Sequence, residues 1–101
     1  MPNTYVVRFA VWGANNPNQT NQSAVLDVTS TLQAILNSGT TVIRPSNGVP
    51  NPDPIFTPDP AVGSTKAFGA LIAVDGVDQY YACSEGETID ISILPLVTPA
   101  T

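Results

Sequence analysis

Histidine is absent from the sequence of 101 residues, and cysteine occurs once, as Cys83. A disulfide within the chain is therefore excluded, and the usual cysteine and histidine ligands of zinc cannot be assembled. A serine nucleophile would also lack a histidine to activate it. We therefore expect neither a zinc site nor an activated serine nucleophile, and the sequence as a whole predicts a protein that is not an enzyme and has no metal or cofactor.

Positive charge is scarce as well. Arg8, Arg44 and Lys66 are the only cationic side chains against eight acidic ones, which gives a net charge of -5. Binding to nucleic acid or to an anionic membrane depends on clustered lysine and arginine. We therefore expect neither of these partners.

Long apolar runs are missing, although 43% of the residues are hydrophobic. A membrane-spanning helix needs about 18 consecutive apolar residues, and residues 1–13 lack the basic and long apolar regions of a signal peptide. A disordered chain would be far less apolar. We therefore expect a soluble folded protein with no membrane insertion and no classical signal peptide.

Proline is concentrated in residues 51–60, which contain four of them. Dividing the chain here would leave halves of about 50 residues, each too small for a core of its own. The sequence predicts instead one domain, residues 1–101, with a proline-rich loop at 49–63 from which Ile55 and Phe56 pack inward. Two alternatives remain, a polyproline ligand without a clean PxxP motif and a calcium site between Asp53 and Asp59.

Alternating apolar residues at the start of the chain predict a strand. Tyr5, Val7, Phe9 and Val11 form one apolar face, while Trp12 falls out of phase with them. The uncharged polar residues 13–23 that follow are typical of a long loop.

One helix is predicted after this loop. Ser30 with Gln33 three residues later matches a capping box, apolar positions 32, 35 and 36 line one side, and Gly39 ends the helix. Residues 40–44 then predict a short strand.

The Asp75-Gly76 dipeptide separates two β-rich runs and favours a two-residue type I′ turn. This turn fixes the hairpin register and places eight mostly apolar residues on one face, which we expect to meet the core. The predicted pairs are Val74 with Val77, Ile72 with Gln79, Ala70 with Tyr81, and Phe68 with Cys83. Alternating isoleucines at 89, 91 and 93 predict a third antiparallel strand with one buried face.

Together these elements predict an all-β fold, a small antiparallel β-sandwich of about five to seven strands with one short helix. The alternative is a small α+β sheet with the helix across one face.

Aromatic, glycine and charged residues follow a characteristic order along most of the chain. They are Trp12-Gly13, Asp27-Val28-Thr29 with Leu32, Asn47, Phe56, Asp59-Pro60, Gly63, Lys66, and Glu85-Gly86 ahead of Ile89. In this order the chain resembles the small C-terminal β-domain of certain mitochondrial J-domain proteins and its stand-alone microbial relatives of unassigned function. A tyrosine is more typical of that family where Trp12 stands, and residues 49–54 form an insertion. The resemblance implies a compact, mostly β, non-enzymatic interaction domain and carries over no catalytic or ligand residues.

Trp12 and the amide-rich loop after it indicate a binding site. An indole stacks on the apolar face of a sugar, and neutral amides both donate and accept hydrogen bonds. The sequence therefore predicts a non-catalytic, lectin-like carbohydrate-binding module for neutral glycans. Its predicted ligand-binding residues are Trp12, Asn15, Asn16, Asn18 and Gln19.

Other interpretations remain open. Trp12 packs over the sheet end or against the helix in one of them, and in another the loop is itself glycosylated, since Asn18 and Asn21 match the acceptor pattern. Low charge and open sheet edges favour a third, a structural or protein-interaction domain that forms homo-oligomers. Cys83 is expected in the core, and the acidic residues near the turns, at 75, 78, 85 and 87, are expected to be solvated.

Overall fold

The computed structural model describes residues 3–46 and 56–100. These ranges contain six strands and one helix: β1 (Tyr5–Asn15), β2 (Ser23–Asp27), α1 (Thr29–Asn37), β3 (Val42–Ile43), β4 (Ala67–Val74), β5 (Val77–Ser84) and β6 (Ile89–Asp90). The predicted all-β class with one short helix is confirmed. The Asn47-Gly48 dipeptide, whose residue types favour a turn, lies outside the described residues, as do Asp53 and Ile55.

Four strands form one antiparallel sheet in the order β2-β1-β4-β5, and β3 pairs with β6 in a small ribbon. A single hydrophobic core lies on one face of the large sheet. Leu32 and Leu36 of α1 cover it, together with Ile43 of the ribbon and Phe56 of the proline-rich loop, which packs inward as predicted. The layer that packs on the core side of the large sheet thus consists of α1 and the β3–β6 ribbon. Among the described residues, the opposite face of the large sheet has no such layer.

The strand predicted at the three isoleucines is shorter than expected and has a different neighbour. Only Ile89–Asp90 is extended, and it pairs with β3 rather than with the hairpin. The Asp90 carboxylate accepts hydrogen bonds from the Ser92 amide and hydroxyl, and the Ile93 amide donates to the Asp90 carbonyl. This turn ends the strand, so Ile91 is buried while Ile93 is 68% exposed.

The hairpin between β4 and β5 has the predicted register in all four pairs. Asp75 and Gly76 both have positive φ, 51° and 84°, as a type I′ turn requires. The Asp75 carboxylate and amide also bond the backbone of Thr4, which ties the turn to the start of β1. Of the eight residues expected to face the core, Val77 is the clear exception and is exposed beside the turn.

A β-bulge in β1 changes which residues face the core. Val7 pairs with Ile72 and Phe9 with Leu71, so Arg8 is an extra residue without a partner on β4. Because side chains alternate along a strand, one inserted residue reverses the faces of all that follow. The predicted face of Tyr5, Val7, Phe9 and Val11 is therefore wrong beyond Val7.

The long loop predicted at residues 13–23 is largely strand. β1 continues to Asn15 and β2 begins at Ser23, so only seven residues, 16–22, connect them. Backbone hydrogen bonds join Asn16 to Gln22 and to Gln19 across this connection. The polar composition marked a hairpin end rather than an open loop.

The helix begins two residues earlier than a Ser30 cap would allow, with Val28 at the N-cap and no side-chain capping bond. Gln33 does not close a capping box. Its side-chain oxygen accepts from the Val7 amide at 2.8 Å, and its nitrogen donates to the Tyr5 carbonyl at 3.0 Å. Since β2 pairs only with the second half of β1, Gln33 satisfies backbone groups that a neighbouring strand would otherwise bond.

Thr29 extends this pairing along β1. Its hydroxyl accepts from the Ala10 amide at 3.0 Å and donates to the Asp27 carboxylate, while the Val28 amide donates to the Ala10 carbonyl. The Thr29 hydroxyl and amide hold the pKa of Asp27 below its ordinary value. The Asp27-Val28-Thr29 sequence is thus the junction that turns β2 into a helix lying along β1.

Replacing Gly76 tests the type I′ turn. We expect Gly76→Val to reduce the free energy of unfolding by about 1–3 kcal/mol, because a β-branched side chain is strained at positive φ. Steric crowding does not contribute to this loss, since a Cβ at Gly76 meets no atom within 4 Å. Gly76→Asn is the matched control and should lose less, because asparagine tolerates this conformation. Equal denaturation midpoints for the wild type and the valine variant would contradict the turn.

The pairing of Gln33 with β1 predicts a cost for losing its amide. Gln33→Leu keeps an apolar stem but leaves the Val7 amide and the Tyr5 carbonyl without a partner, so urea denaturation should show a loss of about 1–3 kcal/mol. Thr31→Ala, at an exposed position of the same helix, should stay within about 0.5 kcal/mol of the wild type. Equal stabilities for both variants would show that solvent satisfies these groups.

Candidate functional site

Trp12 is buried, with no exposed surface. Its ring packs against Phe56 at a centroid distance of 5.6 Å, and Phe56 stacks on Phe68 at 6.1 Å. The bulge at Arg8 explains this position, because it turns Trp12 toward the core and Phe9 toward solvent. The interpretation of Trp12 as a sugar-stacking platform is therefore wrong, and the alternative that Trp12 packs in the domain is correct.

The remaining predicted ligand residues lie at the end of β1 and in the connection to β2. The Asn16 side chain donates to the Gln22 side chain at 2.7 Å and accepts from the Asn18 amide at 2.9 Å. Asn15, Asn18 and Gln19 are exposed. The structure therefore places Asn16, Asn18 and Gln19 in one turn, with Asn15 at the end of β1, while the Trp12 indole is buried in the core. Their contact with a ligand stays a prediction.

Each side chain considered as a catalytic group is either partly buried or held in a contact with the backbone or a cation. Burial raises the pKa of the Cys83 thiol to about 11, so the thiol is protonated near neutral pH and is a poor nucleophile. Each turn carboxylate contacts a backbone amide or a cation: Asp75 the Thr4 amide, Asp78 the Arg8 guanidinium, Glu85 the Lys66 amide and Glu87 the Ser84 amide. These contacts account for the acidic residues that the sequence places near the turns.

Lys66 is buried and organises the part of the proline-rich loop that the structure describes. Its ammonium lies 3.1 Å from the Asp59 carboxylate, 3.3 Å from the Ala61 carbonyl and 2.7 Å from the Ser64 carbonyl. The Ala61 amide and Lys66 hold the pKa of Asp59 below its ordinary value. Asp59, one half of the proposed calcium pair, thus contacts a lysine. Within residues 3–46 and 56–100 no three Cys, Asp or Glu residues converge as metal ligands.

The uncovered face of the large sheet is the candidate site. We name it the outer face and define it by six apolar residues of β1, β2, β4 and β5: Val6, Phe9, Val11, Val25, Leu71 and Tyr80. Phe9 is 51% exposed, Val25 58% and Tyr80 59%. Large apolar side chains usually avoid water in such contiguous sets, and an exposed patch of this kind marks an interaction surface.

The outer face has a ridge of large side chains beside a shallow groove. Phe9 pairs with Leu71, and Leu71 with Tyr80, so these three form a row across the sheet. The next row contains Gly69 and Ala82, and the groove of about 370 Å³ beside it is bordered by Val11 and Val25. The ridge and the groove lie next to each other on the same surface.

Gly69 creates part of this groove without an intramolecular reason. A Cβ at this position meets only one atom within 4 Å, a methyl of Val11 at 3.9 Å, and the backbone has no positive φ. Glycine in the interior of a strand weakens the strand and often marks the close approach of another molecule. Gly69 therefore leaves room for another molecule to approach the backbone of the outer face.

β4 carries a sequence signal for this face, although period-two alternation alone does not reveal it. β4 has the sequence AFGALIAV, in which the residues that point to either face of the sheet are apolar or glycine. An antiparallel strand with one solvent-exposed face alternates apolar and polar residues instead. A strand that is apolar throughout is typical of a sheet covered on both faces.

Comparison of the chain with protein-family models, with curated proteins and with solved structures gave no match. The resemblance to the J-domain-protein β-domain consequently stays a prediction. No helix among the described residues is long and apolar enough to cross a membrane.

The burial of Trp12 predicts a large effect of its removal. Trp12→Ala should lower the free energy of unfolding by about 3–5 kcal/mol, the usual cost of deleting a large aromatic from a core. Val62→Ala, at a position 74% exposed, is the control and should change it by less than about 0.5 kcal/mol. Chemical denaturation followed by circular dichroism measures both. An unchanged midpoint for Trp12→Ala would contradict the packing role.

Proposed function

We propose that this chain is a non-catalytic assembly domain whose outer face packs against the outer face of a second copy. The observation that carries the proposal is the set of six apolar side chains that defines the outer face, which no other helix or strand within residues 3–46 and 56–100 covers. Two sheets that pack face to face form the ordinary core of a β-sandwich. A pair of copies would then complete the sandwich that one chain leaves half open.

The shape of the outer face supports a second copy as the partner. In a two-fold contact the same patch is used by both molecules and must complement itself. The ridge of Phe9, Leu71 and Tyr80 on one copy can enter the groove at Gly69 on the other, and the reverse contact follows by symmetry. A smooth apolar face without the groove would lack this self-complementarity.

The area of the outer face is sufficient for a weak dimer. Four strands about 4.8 Å apart and about eight residues long cover roughly 500 Å² per copy, or about 1,000 Å² for two, near the lower limit of specific interfaces. Contact of this size predicts association that depends on concentration rather than a permanent dimer.

Net charge works against the contact. Each copy carries a net charge of -5, so two copies repel at low ionic strength. Added salt screens this repulsion, with a screening length of about 10 Å at 0.1 M and about 3 Å at 1 M. The apolar contact itself is not screened. Salt is therefore expected to strengthen the dimer, whereas it weakens a complex held by opposite charges.

Phe9→Glu tests the proposal. A carboxylate in the ridge of each copy should weaken self-association roughly tenfold or more, because it must be buried unpaired in the contact. Val62→Glu adds the same charge at an exposed position outside the outer face and should leave association unchanged. Sedimentation equilibrium over a dilution series measures the mass of each variant, with circular dichroism confirming the fold.

The result expected is a wild-type mass that rises with protein and salt concentration, and a Phe9→Glu mass that stays at one chain. A wild type that remains monomeric up to millimolar concentration would overturn the proposal. Equal effects of the two glutamates would show that net charge, rather than the outer face, controls association.

A further inference from the structure

The outer edge of β5 exposes backbone groups without a partner. β5 is an edge strand of the large sheet, and the two-residue turn fixes which of its residues point outward. Since Val77, Gln79 and Tyr81 bond β4 across the hairpin, the amides and carbonyls of Asp78, Tyr80 and Ala82 point away from the sheet. Ser84 has the same parity, and its outward amide and carbonyl bond Glu87.

An apolar groove of about 490 Å³ runs along this edge. Tyr80, Tyr81 and Ala82 line one side, and residues 93–96 line the other. None of the backbone hydrogen bonds between described residues involves the outward groups of Asp78, Tyr80 or Ala82. Such an edge is a ready template for another strand.

The segment 94–99, which we name the proline-flanked segment, has the chemistry of a strand that lacks a sheet. It is uncharged, and Leu94, Leu96 and Val97 are 60%, 95% and 57% exposed. It makes no backbone hydrogen bond to another described residue. Three large apolar side chains left in water within four residues indicate a cover supplied by another molecule.

The positions of its prolines match an edge strand. Alternate residues of a strand bond the same neighbour, so Leu94, Leu96 and Thr98 can all bond one sheet edge while Pro95, Val97 and Pro99 point away from it. Both prolines then stand where no amide is needed, which is the position in which sheets tolerate proline. Three bonding residues of the segment meet three outward residues of β5.

The geometry points to pairing of the proline-flanked segment of one copy with the open edge of β5 in a second copy, as a fifth strand. Ile91 is buried, and its carbonyl accepts from the Tyr81 hydroxyl at 2.9 Å, so the segment leaves the domain beside the groove itself. Two copies that meet edge to edge can exchange these segments. The prolines on the far side prevent a sixth strand from adding, so the exchange ends at two copies.

This contact is separate from the packing of outer faces, because it uses backbone groups at the edge rather than side chains on the face. The test therefore uses the full chain carrying Phe9→Glu, in which face packing is expected to be lost. Amide hydrogen exchange by NMR at rising protein concentration measures protection at Asp78, Tyr80 and Ala82. We expect exchange at these amides to slow by roughly tenfold or more as the concentration rises.

A pair of proline variants tests which alternate residues of the segment bond β5. Leu96→Pro removes an amide that faces β5 and should abolish the protection, whereas Val97→Pro removes one that points away and should preserve it. Both positions are exposed, so neither change should alter the unfolding midpoint. The same pair in the wild-type background shows whether the edge contact operates when the outer face is intact.

Each other result overturns the inference. Protection that is present at the lowest concentration and removed by Leu96→Pro would mean that the segment pairs with its own β5. Identical behaviour of the two proline variants would contradict the arrangement in which the Leu96 amide faces β5 and the Val97 amide points away. The absence of protection at any concentration would exclude strand addition. Edge protection retained in Phe9→Glu supports this contact whether or not the proposed function holds, whereas face packing without edge protection in the wild type overturns this inference alone.

Discussion

The rest of the structure depends on the first half of β1, which pairs with β4 on one side and has no strand on the other. β2 reaches only Val11–Asn15, and the backbone before it must find partners inside a largely apolar domain. Gln33 and Thr29 supply them from α1. This requirement fixes the helix along β1, which in turn places Leu32 and Leu36 over the core. With that side of the sheet occupied, β5 is left as the long open edge.

The extra residue in β1 decides which aromatic side chain belongs to the core and which to the surface. Without the bulge at Arg8, Phe9 would follow Val7 inward and Trp12 would face solvent, as strict alternation predicts. With it, Trp12 joins Phe56 and the outer face gains a phenylalanine. The apolar outer face is thus a consequence of the same irregularity that completes the core.

Local signals were sufficient for part of the fold. The class and the hairpin register follow from alternation and from Asp75-Gly76, because a two-residue turn leaves no freedom in the pairing. The bulge at Arg8 is not predictable from the sequence, since it depends on how β1 fits β4. Gln33 matches a capping box locally, whereas its actual partners, Val7 and Tyr5, are distant in sequence. The candidate site was missed for the same reason, as the orientation of Trp12 and Phe9 was inferred from an unbroken strand.

Lys66 gives the domain a counterion that is part of its own chain. Loops that curl around an ion usually take it from solution, and their shape then varies with ion supply and with competing ligands. Here the ammonium is covalently attached, surrounded by Asp59 and two carbonyls, and present once in every molecule. Residues 59–66 therefore need no ion from solution to neutralise the Asp59 carboxylate or to bond the carbonyls of Ala61 and Ser64.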